Sequence, residues 1–329
     1  LRALITGCGG FVGSHLVEHL VAQGGWELWG TVFRPGEAEA LAGGTVQLLT
    51  ADLRQPADVQ STLFAARPEV IFHLAGQAFV PDATRDPWGT FETNVRMQLN
   101  LLAALADQGE AGRTVRVVAV ASQELYGPAA PLPTDESAPL APANAYASSK
   151  AAQDLVAGQY VRSHGLDVVR ARPFNHIGPR QDPRFVVASF AQQVAEIEAG
   201  LQPPVVHVGD LSTARDFTDV RDIVRAYCLL AERGRRGEVY NLGSGLSHSI
   251  REVLYGLLTH VALDVDVQVD PDRMRPSDTP RTLCNAGKAR AELGWEPRIP
   301  FSQSLVDTLD ACRAALPDPS PSAPATIGS

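Results

Sequence analysis

The sequence predicts a doubly wound α/β fold, a parallel sheet covered by helices on both faces, beside a smaller second α/β domain. Short apolar runs alternate with longer amphipathic stretches through the first half, and the first such junction is a glycine-rich loop. The 329 residues also suit about two domains of roughly 100–200 residues each. The apolar runs at 4–6, 28–32, 46–49, 70–74, 115–121 and 168–171 predict strands. The periodic stretches at 12–22, 57–66, 91–105 and 145–161 predict the helices between them. After Arg172 the prolines at 173, 179, 183, 203 and 204 break the pattern, and a smaller ligand-closing domain is expected around a helix at 185–199. A helix at 220–232, starting after Asp219, and a strand at 239–242 return to the first domain. Ser249 and Glu252 have capping-box spacing and open a helix that runs to Leu258. The expected division is therefore 1–172 plus 219–243, and 173–218 plus 244–312. Residues 313–329, with prolines at 317, 319, 321 and 324, are expected to form a disordered tail.

Composition limits the partners. Twenty-eight Lys and Arg against 37 Asp and Glu leave a formal charge of −9, which argues against nucleic acid or an anionic membrane as a general partner. An anionic ligand must be held locally. Cys8, Cys228, Cys284 and Cys312 lie far apart, so neither a metal site nor a disulfide framework is expected, and a reduced, cytoplasmic setting follows. No apolar stretch approaches the ~18 residues of a membrane span, and no signal peptide is expected.

Gly7, Gly10 and Gly13 follow the first strand and open the first helix as G-x-x-G-x-x-G, with Phe11 and Val12 in the helix's first turn. Glycine lets the backbone approach a pyrophosphate, and the helix start supplies free N–H groups. A dinucleotide site is expected there. The second strand ends near Arg34 with no acid before Glu37, which favours NADP over NAD: Arg34 pairs with a 2′-phosphate, or it is a solvated surface residue. Asp52 and Leu53 follow the third strand, where Asp52 either bonds the adenine or caps a helix.

Tyr146 and Lys150 stand at i and i+4, on one helix face, and a nearby ammonium favours phenolate. Ser122 ends the strand at 115–121, at the end of an open sheet where ligands bind. With Asp52-Leu53, His73-Leu74-Ala75-Gly76 and Ser122 four residues before Tyr126-Gly127, the chain from about 2 to 312 resembles the extended short-chain dehydrogenase/reductases. The resemblance implies a Rossmann-type first domain holding NADP or NAD through the glycine loop, Arg34, Asp52, Leu53, Leu74, Ala75, Gly76, Tyr146 and Lys150. It implies a nucleotide-sugar domain after it, and a homodimer or dimer of dimers through a four-helix bundle of 91–105 and 145–161. His73 and His176 read as structural histidines, and Asn94 as a residue that bridges a backbone turn.

The segments 172–181, 208–210 and 215–220 resemble the GDP-mannose branch of that family, which holds 4,6-dehydratases and 4-ketoreductases. Asn175, Arg180, Val208, Arg215 and Arg275 are the expected substrate contacts, the arginines supplying local positive charge for a GDP-hexose. The expected activity is NADPH-dependent reduction of the C4 ketone of a GDP-6-deoxyhexose. Ser122 polarises the carbonyl, Tyr146 gives the proton, and Lys150 lowers the energy of phenolate. The alternative is a 4,6-dehydratase, because Glu124 stands where that branch carries its C5 base. Ser122, Ile177 and Gly178 depart from the dehydratase pattern. An epimerase and a non-catalytic NADP sensor are the more distant readings; sensors commonly lose the Tyr or Lys that this chain keeps.

Overall fold

The computed structural model describes residues 1–37, 41, 44–274 and 279–316. They fall into two compact units, one of Leu1–His176, Thr213–His248 and Ser277–Phe301, the other of Ile177–Ser212, Ser249–Pro276 and Ser302–Ser329.

The first unit holds a seven-stranded parallel sheet. Its strands are β1 (Arg2–Thr6), β2 (Glu27–Val32), β3 (Val46–Thr50), β4 (Val70–His73), β5 (Arg116–Val120), β6 (Asp167–Pro173) and an edge strand, Val239–Leu242. The spatial order is edge strand, β6, β5, β4, β1, β2, β3. Both faces are buried at the central strands β1, β4 and β5, which is why these are continuous apolar runs, while β3 at the sheet's other edge is largely exposed. Ala3, Ile5, Phe72, Val118 and Val169 point into one core with Leu16 and Leu20 of α1 (Phe11–Gln23) and Ile223, Tyr227 and Leu230 of helix Val220–Arg233. Their neighbours Leu4, Ile71, Val117 and Val168 point into the opposite core with Leu63 of α2 (Pro56–Ala66) and Leu101 and Leu105 of helix Met97–Asp107. Successive side chains of a strand face opposite ways, so one run of four serves two cores.

The helix expected over 91–105 forms with a π-helical turn inside it, the backbone staying right-handed helical at Phe91, Glu92, Arg96 and Met97. Pro87–Phe91 passes into a π-helical turn, Glu92–Arg96, and then into Met97–Asp107. The long helix Ala145–His164 has caps visible in the sequence. Asn144 Oδ1 accepts from Ala147 N at 2.8 Å at its start, and Gly165 adopts φ +71° at its end.

The segment Ser277–Phe301 belongs to the first unit, although the sequence suggested the second. Trp295 is fully buried there and donates from Nε1 to Asp222 O at 2.9 Å, while Asp222 Oδ2 accepts from the backbone N–H groups of Arg298 and Ile299 at 2.7 and 2.8 Å.

The second unit contains helix Val186–Glu198, a parallel pair Val205–Val208 and Asp266–Val269, and helix Ile250–Leu258. Ser249 and Glu252 form the expected capping box. Helix Phe301–Ala315 runs into the segment expected to be a disordered tail, and Arg313 there donates to both Glu198 oxygens at 2.8 and 2.7 Å. The rest of that tail, 317–329, lies outside the described residues. Among the described residues no helix is long and apolar enough to cross a membrane.

Candidate active site

The carboxyl ends of β5, β4 and β1, adjacent in the sheet, carry the candidate groups. After β1 the chain turns at Gly7, with φ +69°, and Gly10 N donates to Gly7 O at 3.1 Å. A Cβ on Gly13 would stand 2.3 Å from Gly7 O and 2.7 Å from Cys8 Cα, so only glycine lets α1 start against this loop. A Cβ on Gly7 would meet Ala75 Cα at 3.0 Å, which brings the segment after β4 against the same loop. Thr6 Oγ1 holds that segment by accepting from Leu74 N and Ala75 N, both at 3.0 Å. Gly10 is the N-cap of α1 and offers no side chain to the first-turn N–H groups. The loop thus has the narrowness and the free donors that a pyrophosphate needs.

At the end of β2, Phe33 and Arg34 are exposed. The Arg34 and Arg54 guanidinium carbons lie 5.6 and 5.3 Å from the centre of the Phe33 ring. Glu37 folds back, its carboxylate accepting from Phe33 N at 2.9 Å. Asp52 does not cap a helix: the N-cap of α2 is Gln55. The Asp52 carboxylate instead takes the Arg54 fork through Nε at 2.8 Å and Nη2 at 2.9 Å, which holds it below the usual carboxylate range. Leu53 is a core residue.

Ser122 follows β5 as the N-cap of a 3₁₀ turn, Gln123–Tyr126, and its Oγ accepts from Glu124 N at 3.2 Å. Its hydroxyl also favours the ionised form of the Tyr146 phenol. Burial drives the Tyr146 phenol up to about 12, against the pull of Ser122; the Glu124 carboxylate pushes the same way as burial. The expected support from Lys150 is directed elsewhere: its Nζ donates to Val120 O at 3.2 Å, and burial brings this ammonium down to about 8.

Glu124 is half-buried beside them, its carboxyl raised by desolvation and drawn back by the Arg215 charge and by Gln123 and Asn144. Gln123 Nε2 donates to Glu124 Oε1 at 2.9 Å.

His73 Nδ1 lies 3.0 Å from Thr6 Oγ1. Thr6 already accepts two N–H groups, so its single proton goes to Nδ1 and the imidazole keeps the Nε2–H tautomer. Burial takes this ring down to about 3, which leaves it neutral. His176 donates from Nδ1 to Phe174 O at 3.1 Å and stacks on Phe11 with centroids 6.0 Å apart. Asn94 spans a backbone turn, accepting from Gln77 N at 2.7 Å and donating to Gln77 O at 3.1 Å.

Of the expected substrate contacts, Asn175 and Arg215 lie in the first unit, and Asn175 Oδ1 is buried without a partner. Arg180 and Val208 lie in the second, Arg180 with the rare backbone φ of +69°. Arg275 falls outside the described residues. Sequence reasoning missed Arg54, Gln123 and Asn144; only Asn144 carried a local signal, as an N-cap before the long helix.

The sequence profile of the family described as GDP-mannose 4,6 dehydratase matches residues 4–308. The chain belongs to that family. It is an extended short-chain dehydrogenase/reductase by fold. It is 37% identical over 307 residues to a GDP-6-deoxy-D-mannose reductase of Pseudomonas aeruginosa, covering 92% of this chain and 94% of that one. It is 27% identical to GDP-mannose 4,6 dehydratase 2 of Arabidopsis thaliana, covering 94% and 86%. Among solved structures it is similar to RMD from Pseudomonas aeruginosa complexed with NADPH, at 34% identity and a TM-score of 0.82, covering 96% of this chain and all of that one. A UDP-glucose 4-epimerase of Thermus thermophilus in complex with NAD superposes with a TM-score of 0.85 at 32% identity, covering 96% and 100%. These family relatives are enzymes.

Proposed function

We propose that this chain is an NADPH-dependent 4-ketoreductase whose substrate is GDP-4-keto-6-deoxymannose. The observation that carries the reading is that Tyr146 and Lys150 stand buried one turn apart on the long helix, which packs against the 3₁₀ turn capped by Ser122 at the end of β5. When bound, NADPH supplies a hydride to C4 of the sugar. Tyr146 gives its proton to the alkoxide that develops on the C4 oxygen. Ser122, whose Oγ already accepts from Glu124 N, has its own proton free to polarise the carbonyl. Lys150 contributes positive charge near the reacting oxygen below about pH 8. The glycine loop, the Leu74–Gly76 segment and the α1 N-terminus would hold the pyrophosphate, and Arg34 the 2′-phosphate. Asn175 and Arg215 would hold the nucleotide sugar, with Arg180, Val208 and Arg275 from the remaining expected set. The higher identity to a reductase than to the dehydratase supports the choice of reaction.

A 4,6-dehydratase is the second reading, favoured by Glu124 lying beside Tyr146. The two separate in one experiment. The purified protein is given GDP-mannose alone, and separately GDP-4-keto-6-deoxymannose with NADPH. NADPH oxidation only in the second mixture is expected; a 4-keto sugar formed in the first would reverse the assignment. Exposed Trp88 and Leu155, on the helices Pro87–Phe91 and Ala145–His164, support a homodimer, which light scattering in solution tests.

A further inference from the structure

Ser122 and Tyr146 sit on different segments, and one buried guanidinium holds both segments. Arg172 on β6 donates from Nε and Nη2 to the two oxygens of Asp154, at 3.1 and 2.6 Å. Its Nη1 donates to the Tyr126 phenol oxygen at 2.8 Å. Tyr126 donates its own O–H to Asn241 Oδ1 at 2.7 Å. Arg172, Asp154 and Tyr126 are 4%, 2% and 2% exposed, so water cannot take over these bonds. The two ends of this bracket matter for the site. Asp154 lies four residues beyond Lys150 and eight beyond Tyr146 on the long helix, on the same face. Tyr126 closes the 3₁₀ turn for which Ser122 is the N-cap.

Neutralising Asp154 does not account for Arg172. Asp154 Oδ2 already receives Arg170 Nη1 at 3.0 Å, so the carboxylate has a cation without Arg172. Two guanidiniums on one buried carboxylate are also a poor way to gain stability, because each buried ion loses its hydration. What Arg172 adds is planar geometry: a rigid fork with one jaw on the helix and the other on the turn.

We infer that Arg172, acting through Asp154 and Tyr126, is a positioning residue that sets the separation and angle between the Ser122 hydroxyl and the Tyr146 phenol. The inference rests on the proposed function, in which those two groups meet the same carbonyl oxygen.

A double-mutant cycle tests it. Tyr126→Phe removes only the phenol oxygen, and it is made in the parent and in Ser122→Ala. Misalignment of a reacting pair costs roughly 10–100-fold, so Tyr126→Phe in the parent should lower kcat by that factor. KM and the NADPH dissociation constant, read by fluorescence quenching, should stay within about twofold, the sign of an interaction made in the transition state. In Ser122→Ala the same change should cost kcat nothing further, because the group being positioned is gone. Arg172→Lys, which keeps the charge and loses the fork, should repeat the kcat loss. If the kcat losses of Ser122→Ala and Tyr126→Phe multiply in the double variant, or if Tyr126→Phe leaves kcat intact, the positioning role is wrong. If Ser122→Ala alone keeps full kcat, the proposed function fails instead, and the single variant shows it.

Discussion

Replacing Lys150 by Met should raise stability and remove activity together. The side chains are of similar length, but the ammonium is 7% exposed and its ionisation falls from 10.5 to about 8. Each tenfold in that equilibrium is about 1.36 kcal/mol, so burying the charge costs the native state about 3 kcal/mol at neutral pH. Methionine leaves Val120 O without its donor, which returns about 1 kcal/mol of that. A net gain near 2 kcal/mol, a few degrees in Tm, is expected at pH 7. The pH dependence has a definite sign. Between about 8 and 10.5 the unfolded chain binds the proton and the native state does not, so native stability rises with pH through that window and the full penalty applies below it. The gap between parent and variant should therefore be widest at pH 7 and shrink toward pH 10. Thermal unfolding of cofactor-free protein at several pH values reads this directly, since bound NADPH would add its own stabilisation. A Lys150→Met protein no more stable than the parent at pH 7, or a gap that does not change with pH, would refute the reasoning.

Gly13→Ala drives a Cβ into backbone atoms at 2.3 and 2.7 Å, which cannot rotate away; Tm should fall by the equivalent of about 1–3 kcal/mol and NADPH affinity by more than tenfold. Unchanged quenching titrations would show that the loop does not hold the cofactor. Arg34→Ala should weaken NADPH about tenfold or more while leaving NADH unchanged, since one charge-assisted bond is worth about 1.5–3 kcal/mol. Equal affinities for NADPH in parent and variant would make Arg34 a solvated surface residue. Glu124→Gln should keep NADPH oxidation with the 4-keto sugar within a few fold; loss of that turnover would mean the carboxylate takes part in the reduction.

What could be read from the sequence was what depends on near neighbours in the chain. The glycine spacing, the i, i+4 pair of Tyr146 and Lys150 and the Ser249–Glu252 box are local patterns whose geometry follows from a turn or a helix. Asp52 shows the limit. Its position suggested a cap or an adenine contact, but the cap fell to Gln55, and the carboxylate pairs with a cation two residues on, Arg54. Trp295 and Asp222 stand far apart in sequence, and nothing in the Gly- and Pro-containing segment around Trp295 indicates which core it enters. The π-helical turn at Asn94 was hidden for a similar reason, because periodicity over 91–105 looks the same whether or not one residue bulges. The Arg172 bracket joins β6, the long helix and the turn after β5, a constellation that appears only once the strands are side by side.

The edge strand Val239–Leu242 has a consequence for how the chain is made. Each of its four residues pairs with β6, yet β6 ends at Pro173. A ribosome adding roughly 5–20 residues per second leaves β6 waiting some seconds, its outer row of N–H and C=O groups unpaired, until residue 242 emerges. The Trp295 segment that completes the core on one face of the sheet arrives later still. A nascent chain stopped at His176 would therefore present an open apolar strand edge, which predicts dependence on a holding chaperone during synthesis even for a protein that refolds unaided once whole.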